Sequence, residues 1–159
     1  MGDVELTHVD RAGAARMVDV SDKQPGARVA VATGVLRTTA EVIELLRRDG
    51  LPKGDALATA RIAGIMGAKR TPDLVPLCHP IALTGVTVAL EPGEAEVRIT
   101  ATVKTTDRTG VEMEALTAVA VAGLALHDMV KAVDPAAVLD AVRVERKDGG
   151  KTGTWVRPA

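Results

Sequence analysis

Residues 28–37 show a period of two, with Val, Val, Thr and Val separated by single Ala or Gly residues. This alternation is typical of a β-strand, so we predict a strand over the stretch. Two more strands are predicted over about 82–91 and 95–106, because Pro92-Gly93 between them is a hairpin turn signal. A last strand is predicted over about 138–146.

Three helices are predicted between these strands. One covers 40–49, with Thr39 as its cap, and another opens at Asp55, covers 56–70 and stops before Pro72. The longest runs over about 110–133. Because its middle is apolar nearly all round, we expect it to be a buried helix rather than an amphipathic surface helix.

The predicted order of elements is β-α-α-β-β-α-β. This is the split βαβ, or ferredoxin-like, pattern with one additional helix, so we predict an α+β fold with an antiparallel sheet. A chain of 159 residues suits a single domain. Within it we expect an N-terminal arm over 1–27 and a Gly-rich tail over 147–159.

Aromatic residues make up 1 % of the chain: the sequence has a single Trp, Trp155, and no Phe or Tyr. Yet 47 % of its residues are hydrophobic. The core must therefore be built from Ala, Val, Leu, Ile and Met. RNA-recognition surfaces stack bases on aromatic rings, so the composition disfavours an RNA-binding module. No run reaches about 18 purely apolar residues, and we expect no membrane span.

The chain has 20 Lys and Arg residues and 21 Asp and Glu residues, for a net charge of −1. A general nucleic-acid binder should be more basic, so an anionic ligand must be held by a local cluster of cations. Cys78 is the only cysteine, which allows no internal disulfide and is too little for a Cys-rich zinc site. The start of the chain lacks the pattern of a secretory signal, so we expect a cytoplasmic protein.

A proline-stiffened loop follows the second predicted helix. Between Pro76 and Pro80 stand Leu77, Cys78 and His79. The basic residues upstream are Lys53, Arg61, Lys69 and Arg70. A histidine beside a basic helix end suits an anionic, titrating ligand, whereas the simpler interpretation is that these cations stabilise and solvate the helix. A Cys–His nucleophilic dyad is disfavoured, because adjacent residues do not easily aim their side chains at each other.

The long predicted helix carries Glu112 and Glu114 near its start and Asp128 and Lys131 near its end. The simpler interpretation is two acids that fit the helix dipole and one surface ion pair. Glu114 and Asp128 return to within about 40° of one helix face, yet they lie about 21 Å apart along the axis. If both belong to one site, either two copies of the chain share it or the helix is broken. We predict a site at a subunit interface.

The tail segment 149–152, Gly-Gly-Lys-Thr, imitates the end of a phosphate-binding P-loop. The full motif needs a Gly where the chain has Glu145, so we reject a P-loop and predict a turn. Lys147 and Lys151 can still reach a phosphate as point charges.

Several long segments match one known family: KGDALATARIAGIMGAKRT, LVPLCHP, RTGVEMEALTAVAVAGLALHDMVKAVD, KDGGKTG and, near the start, LTHVDRAGAARMVDVSDK. Together they resemble the MoaC family, the cyclic pyranopterin monophosphate synthases of molybdenum cofactor biosynthesis. The resemblance implies an enzyme that converts 3′,8-cyclo-7,8-dihydroguanosine 5′-triphosphate to cyclic pyranopterin monophosphate and releases diphosphate. It also implies no metal, no organic cofactor, and a hexamer built as a trimer of dimers with the site at the dimer contact.

The resemblance also implies roles for individual residues. The catalytic residues are Asp128, Lys53 and Lys131. The residues that contact substrate are Leu77, Cys78, His79, Met113, Glu114, Glu112, Lys69 and Arg28. The acids and lysines are candidates for proton transfer, and Arg28, Lys69 and Lys151 are candidates for stabilising the leaving diphosphate.

The chain departs from the family's usual residues at Gly26, Gly67, His127 and Val130. None of these belongs to the implied catalytic set, so we expect at most an altered rate or pH optimum. The rival interpretation is a regulatory domain of the same fold that binds a nucleotide without converting it. Such a domain needs the cations, whereas only an enzyme needs a buried carboxylate beside them.

Overall fold

The computed structural model describes residues 6–51 and 55–159. Lys53, one of the implied catalytic residues, lies outside this part of the chain. The described elements are β1 Gly26–Arg37, α1 Ala40–Arg47, α2 Ala56–Lys69, α3 Thr71–Leu74, β2 Leu83–Pro92, β3 Glu96–Asp107, α4 Glu112–Val130, β4 Val138–Asp148 and β5 Trp155–Val156. Each predicted strand and helix is present, and the structure adds α3 and β5.

The strands form one antiparallel sheet in the order β2-β3-β1-β4-β5. β3 lies between β1 and β2, which the helices α1 to α3 connect, so the βαβ unit is split. The predicted α+β, ferredoxin-like arrangement is confirmed. β5 extends the sheet beyond β4.

Both predicted helix caps are present. The Thr39 hydroxyl accepts a hydrogen bond from the Val42 amide at 3.2 Å, and the Asp55 carboxylate accepts one from the Ala58 amide at 3.0 Å. α1 ends two residues earlier than predicted, because Asp49 has a left-handed backbone with φ of 51°.

The core is aliphatic throughout the described chain. Its largest fully buried hydrophobic side chains include Leu36, Ile43, Ile99 and Leu126. Small residues allow α2 and α4 to approach closely: a Cβ atom at Gly64 would lie 2.9 Å from the Ala118 carbonyl oxygen. The absence of large rings therefore lets the two helices pack tightly against each other.

The prediction that α4 is a buried helix holds for its inner face and not for its outer face. Its inner face packs on the sheet and α2, but Leu124 on the outer face is 64 % exposed. Thr117, Leu124 and Asp128 follow at spacings of seven and four residues, which places them together on this outer face, while Val121 at its edge lies against Gly67 of α2. A helix layer that covers one face of a sheet leaves its own outer side open unless another chain covers it.

α4 is also long and apolar enough, by length and composition alone, to cross a bilayer. Half of its most apolar window is buried inside the fold. The core helix of a globular protein has this same character, so the helix is weak support for a membrane span.

Candidate functional site

One end of the sheet gathers most of the predicted binding residues. Arg28, near the start of β1, has Thr105 of β3 as its neighbour, and Thr105 in turn pairs with Leu83 at the start of β2. On the other side of β1, Lys147 of β4 lies opposite Ala30. The starts of β1 and β2 and the ends of β3 and β4 therefore meet at one edge.

α4 begins at this same edge. Val119 packs on Gly34 of β1, and Gly123, one turn later, packs on Leu139 of β4, so the helix runs from the start of β1 towards its end. We call the two regions the N-terminal end of α4, beside the start of β1, and the C-terminal end of α4, about 27 Å away along a 19-residue helix.

A basic cavity of about 340 Å³ opens beside the start of β1. Its lining in the described chain consists of Lys23, Gln24, Gly26, Arg28, Gly150 and Lys151. The Arg28 guanidinium donates hydrogen bonds to the carbonyl oxygens of Asp107 and Arg108, at 3.1 and 3.2 Å. These bonds hold its charge in place, and the cavity is suited to an anion such as a phosphate group.

The tail turn forms one wall of the basic cavity. Gly149 and Gly150 have φ values of 91° and 80°, which confirms the predicted turn. A Cβ atom at Gly149 would overlap the Ala27 carbonyl oxygen, and one at Gly150 would overlap the Arg28 guanidinium. Glycine at both positions therefore lets the turn lie directly against β1, which brings Lys151 into the lining.

An apolar cavity of about 580 Å³ lies at the N-terminal end of α4. Its lining includes His8, Ala15, Val75, Pro76, Leu77, Cys78 and Met113. Three predicted substrate contacts, at Leu77, Cys78 and Met113, thus share one cavity. The N-terminal arm supplies His8 and Ala15.

Glu114 is the one acid in the described chain that is buried, with 3 % of its surface exposed. Burial raises its pKa from 4.5 to about 7, and the nearby Glu112 carboxylate adds to the effect. Burial also raises the pKa of the Cys78 thiol, with a contribution from Glu114. The thiol therefore stays protonated at neutral pH, which leaves a Cys–His dyad without its thiolate, whereas Glu114 can exchange a proton near pH 7.

Two other predicted binding residues, Lys69 and His79, lie at the two ends of the segment that connects α2 to this region. Lys69 is the exposed last residue of α2, from which the chain continues through α3 into the loop that carries His79. Hydrogen bonds with Ser21 are the main reason why the pKa of Asp19 is lowered, and His79 adds a small electrostatic contribution. The N-terminal arm therefore lies beside this loop.

Asp128 and Lys131 lie instead at the C-terminal end of α4. Lys131 Nζ and Asp128 Oδ1 are 2.7 Å apart, and 54 % and 51 % of the two side chains are exposed. α4 is continuous from Glu112 to Val130, which excludes the predicted alternative of a broken helix. One chain therefore does not bring the Asp128–Lys131 pair to the N-terminal end of α4.

The family departure at His127 has a local role in this structure. His127 Nε2 lies 3.0 Å from the Ala137 carbonyl oxygen, to which it can donate, so the ring ties the end of α4 to the turn before β4. Val130 is fully buried. At Gly67, a Cβ atom would lie 2.8 Å from the Val121 side chain, so the absence of a side chain at this position leaves room for the branched Val121.

Reasoning from the sequence missed Lys23 and Gln24 as cavity residues. The available signal was a lysine three residues before the strand that carries Arg28. It also missed that Thr152 accepts a hydrogen bond from Lys147. Among the residues that the structure describes, no group of three or more His, Cys, Asp or Glu side chains is placed to hold a metal ion.

Comparison with known proteins adds an independent finding. The sequence profile of the MoaC family matches residues 17–150. Cyclic pyranopterin monophosphate synthase of Streptomyces coelicolor is 66 % identical over 152 residues, which are 96 % of this chain and 89 % of that protein. Cyclic pyranopterin monophosphate synthase 2 of Mycobacterium tuberculosis is 63 % identical, with 96 % and 92 % covered. The Nocardioides synthase is also 63 % identical, with 96 % of both chains covered.

Proposed function

The chain belongs to the MoaC family, and we propose that it catalyses the reaction for which its relatives are named, the synthesis of cyclic pyranopterin monophosphate. It acts as a lyase of molybdenum cofactor biosynthesis on the guanosine-derived 3′,8-cyclo-7,8-dihydroguanosine 5′-triphosphate and releases diphosphate. One observation carries the proposal for this chain: a cavity for an anion and a buried acid with a pKa near 7 lie at the same end of the sheet.

The basic cavity receives the triphosphate. Closing the cyclic phosphate displaces diphosphate, so negative charge accumulates on the leaving group during the reaction. Arg28 and Lys151 in the cavity, with Lys69 at the end of α2, stabilise that charge as it develops. Arg28 contributes most, because its guanidinium is already held by two backbone carbonyls.

The rearrangement of the ring requires protons to move between heteroatoms. Glu114 has a pKa near 7 and can both donate and accept at neutral pH, with Glu112 beside it. Asp128, Lys131 and Lys53 are the catalytic acid–base groups. The Lys131–Asp128 ion pair holds the two charges 2.7 Å apart.

The purine-derived ring lies in the apolar cavity, against Leu77, Cys78 and Met113, and His79, the residue after Cys78, orients the phosphate or the base. The chain has no Phe or Tyr, so the ring is recognised by aliphatic contacts, backbone groups and charges rather than by stacking on those residues. Trp155 in β5 is 40 % exposed, and the Arg157 guanidinium carbon already lies over its ring, 5.6 Å from the ring centroid.

The complete site is shared between two copies of the chain. Exposed apolar side chains continue along the outer faces of α2 and α4, at Ile62, Met66 and Leu124. Asp128 lies one turn after Leu124 on that face, so a copy that covers Leu124 also comes close to Asp128. The N-terminal end of α4 from one chain then meets the C-terminal end of α4 from its partner, within a cytoplasmic homohexamer arranged as a trimer of dimers.

The test is to supply the cyclised GTP intermediate and to follow diphosphate release. Wild type should turn over, whereas Asp128→Asn and Lys53→Ala should bind the substrate and lose about 10²–10⁴-fold in rate. Glu41→Gln is the matched control, because Glu41 is an exposed helix acid on α1 that lines neither cavity and does not belong to the Asp128–Lys131 pair.

A full rate for Asp128→Asn would contradict its assignment as catalytic. Wild-type protein that binds the intermediate and never releases diphosphate would instead support the rival function, a regulatory domain that only binds nucleotide. A monomer that is active in sedimentation experiments would contradict the shared site.

A further inference from the structure

The C-terminal segment folds back beside the basic cavity. Lys147 of β4 pairs with Trp155 of β5, and the Arg157 amide donates a hydrogen bond to the Glu145 carbonyl oxygen at 2.8 Å. Between the two strands, the Gly153 amide donates to the Gly150 carbonyl oxygen at 3.2 Å. Residues 148–154 therefore form a closed loop with defined bonds rather than a loose tail.

A residue of this loop binds the side chain of Lys147. This side chain is half-buried, and its ammonium group donates a hydrogen bond to the Thr152 hydroxyl. Lys147 lies opposite Ala30, two residues after Arg28 on β1, so its side chain and that of Arg28 are diagonal neighbours on one face of the sheet. Thr152 directly follows Lys151, which lines the basic cavity.

The acid next to Lys147 is bonded to other residues. The carboxylate of Asp148, the next residue, accepts two hydrogen bonds from Arg146 at 2.8 and 3.0 Å and a third from the Thr154 hydroxyl at 2.8 Å. Lys147 is thus bonded to a neutral hydroxyl, and its full charge stays available to an anion in the neighbouring cavity.

Resting on the function proposed above, we propose that Thr152 is a positioning residue for diphosphate release. Its hydroxyl holds the Lys147 ammonium beside the basic cavity, where Lys147 adds to the field of Arg28, Lys23 and Lys151 on the phosphate chain. A free lysine side chain samples many rotamers, and a cation that is already oriented interacts more strongly with charge that develops during the reaction.

The test compares Thr152→Val, which keeps the branched shape and removes the hydroxyl, with Thr152→Ser, which keeps the hydroxyl. We expect Thr152→Val to weaken binding of inorganic pyrophosphate, measured by calorimetry, by about two- to tenfold, the range for one lost hydrogen bond. KM for the cyclised substrate should rise by a similar factor, and Thr152→Ser should restore both values.

A double-mutant cycle separates positioning from structure. If Thr152 acts through Lys147, Thr152→Val should have no further effect on pyrophosphate binding once Lys147→Met is present. Thr154→Val is the matched control. It removes a hydroxyl of the same loop, but this hydroxyl donates to Asp148 and does not bond Lys147, so pyrophosphate binding should stay unchanged.

Wild-type affinity in Thr152→Val, an unrescued loss in Thr152→Ser, or additive effects of Thr152→Val and Lys147→Met would each overturn the inference. Its failure is distinct from failure of the proposed function. The function fails if wild type releases no diphosphate, whereas pyrophosphate binding by the variants tests Thr152 in either case.

Discussion

The two ends of α4 differ in how much of a site a single chain completes. At the N-terminal end, Glu114 is buried, and an apolar cavity and a basic cavity are both lined by residues of the same chain. At the C-terminal end, Asp128 and Lys131 form an ion pair that is about half exposed. One helix thus has a buried acid and two cavities at one end and a half-exposed ion pair at the other.

This difference explains how an unbroken helix can serve one reaction. The two ends are too far apart to act on the same small substrate within a chain, and the outer face that leads to Asp128 is apolar and uncovered. Under the proposed function, association of two chains completes the site, because it brings Asp128 and Lys131 of one chain to the cavities and to Glu114 of the other.

The largest expected effect comes from placing one defect at each end. Arg28→Ala and Asp128→Asn should each lose at least about 100-fold in diphosphate release. Co-expressed with different tags, they should recover up to about a quarter of wild-type activity, because half of the dimers are mixed and each mixed dimer has one intact site. Activity no greater than that of the two single variants would show that each chain holds a complete site.

The next effect tests the outer face directly. Leu124→Asp should dissociate the assembly, because a buried unpaired charge costs about 3–5 kcal/mol, more than about 100-fold in the dissociation constant. Sedimentation velocity should show smaller species and activity should fall with them, while Leu124→Met stays assembled. Circular dichroism should remain native, since Leu124 is exposed in the single chain. An assembled, active Leu124→Asp protein would place the interface elsewhere.

A smaller effect is expected in how the free energy of unfolding depends on pH through the Glu114 carboxylate. Glu114 has a pKa near 7 in the folded chain and near 4.5 when unfolded, so the folded state holds the extra proton between these values. Stability from this group is present below about pH 4.5 and is lost as the pH rises through 7. Glu114→Gln should therefore gain stability relative to wild type between pH 5 and pH 8, on the order of 3 kcal/mol, in urea unfolding. A difference that does not change with pH would contradict the burial argument.

The smallest effect is expected at the other end. Asp128→Asn and Lys131→Met should each change the free energy of unfolding by less than about 1 kcal/mol, because exposed ion pairs contribute little. Urea unfolding of the same variants used in the activity assay measures this. A large loss of stability would mean that the pair maintains the fold, and the activity loss of Asp128→Asn would then need another explanation.

The sequence was sufficient for local structure. Helix caps at Thr39 and Asp55, the hairpin at Pro92-Gly93 and the glycine turn at 149–150 each follow from short-range chemistry, and the structure confirms them. The order of these elements was sufficient for the split sheet, because few connections are compatible with it.

Features that depend on distant contacts were missed. β5 is two residues long and exists only because β4 offers an edge with which it can pair. α3 contains Pro72 within its first turn, where a missing amide costs nothing, so the residue that was expected only to end α2 lies in a new helical turn. Lys23 carries no motif and becomes a cavity residue only when the arm lies beside Arg28.

The sequence by itself determined the aliphatic core, the elements other than α3 and β5, and the family, since these depend on composition, periodicity and long matching segments. The tertiary structure decided which charges share a site. Packing buried Glu114 and left Asp128 exposed, although both lie on one helix and only about 40° apart around its axis. Burial depends on which other elements pack over each end of a helix. Helical periodicity indicates the direction in which a side chain points, but not whether another element packs over it.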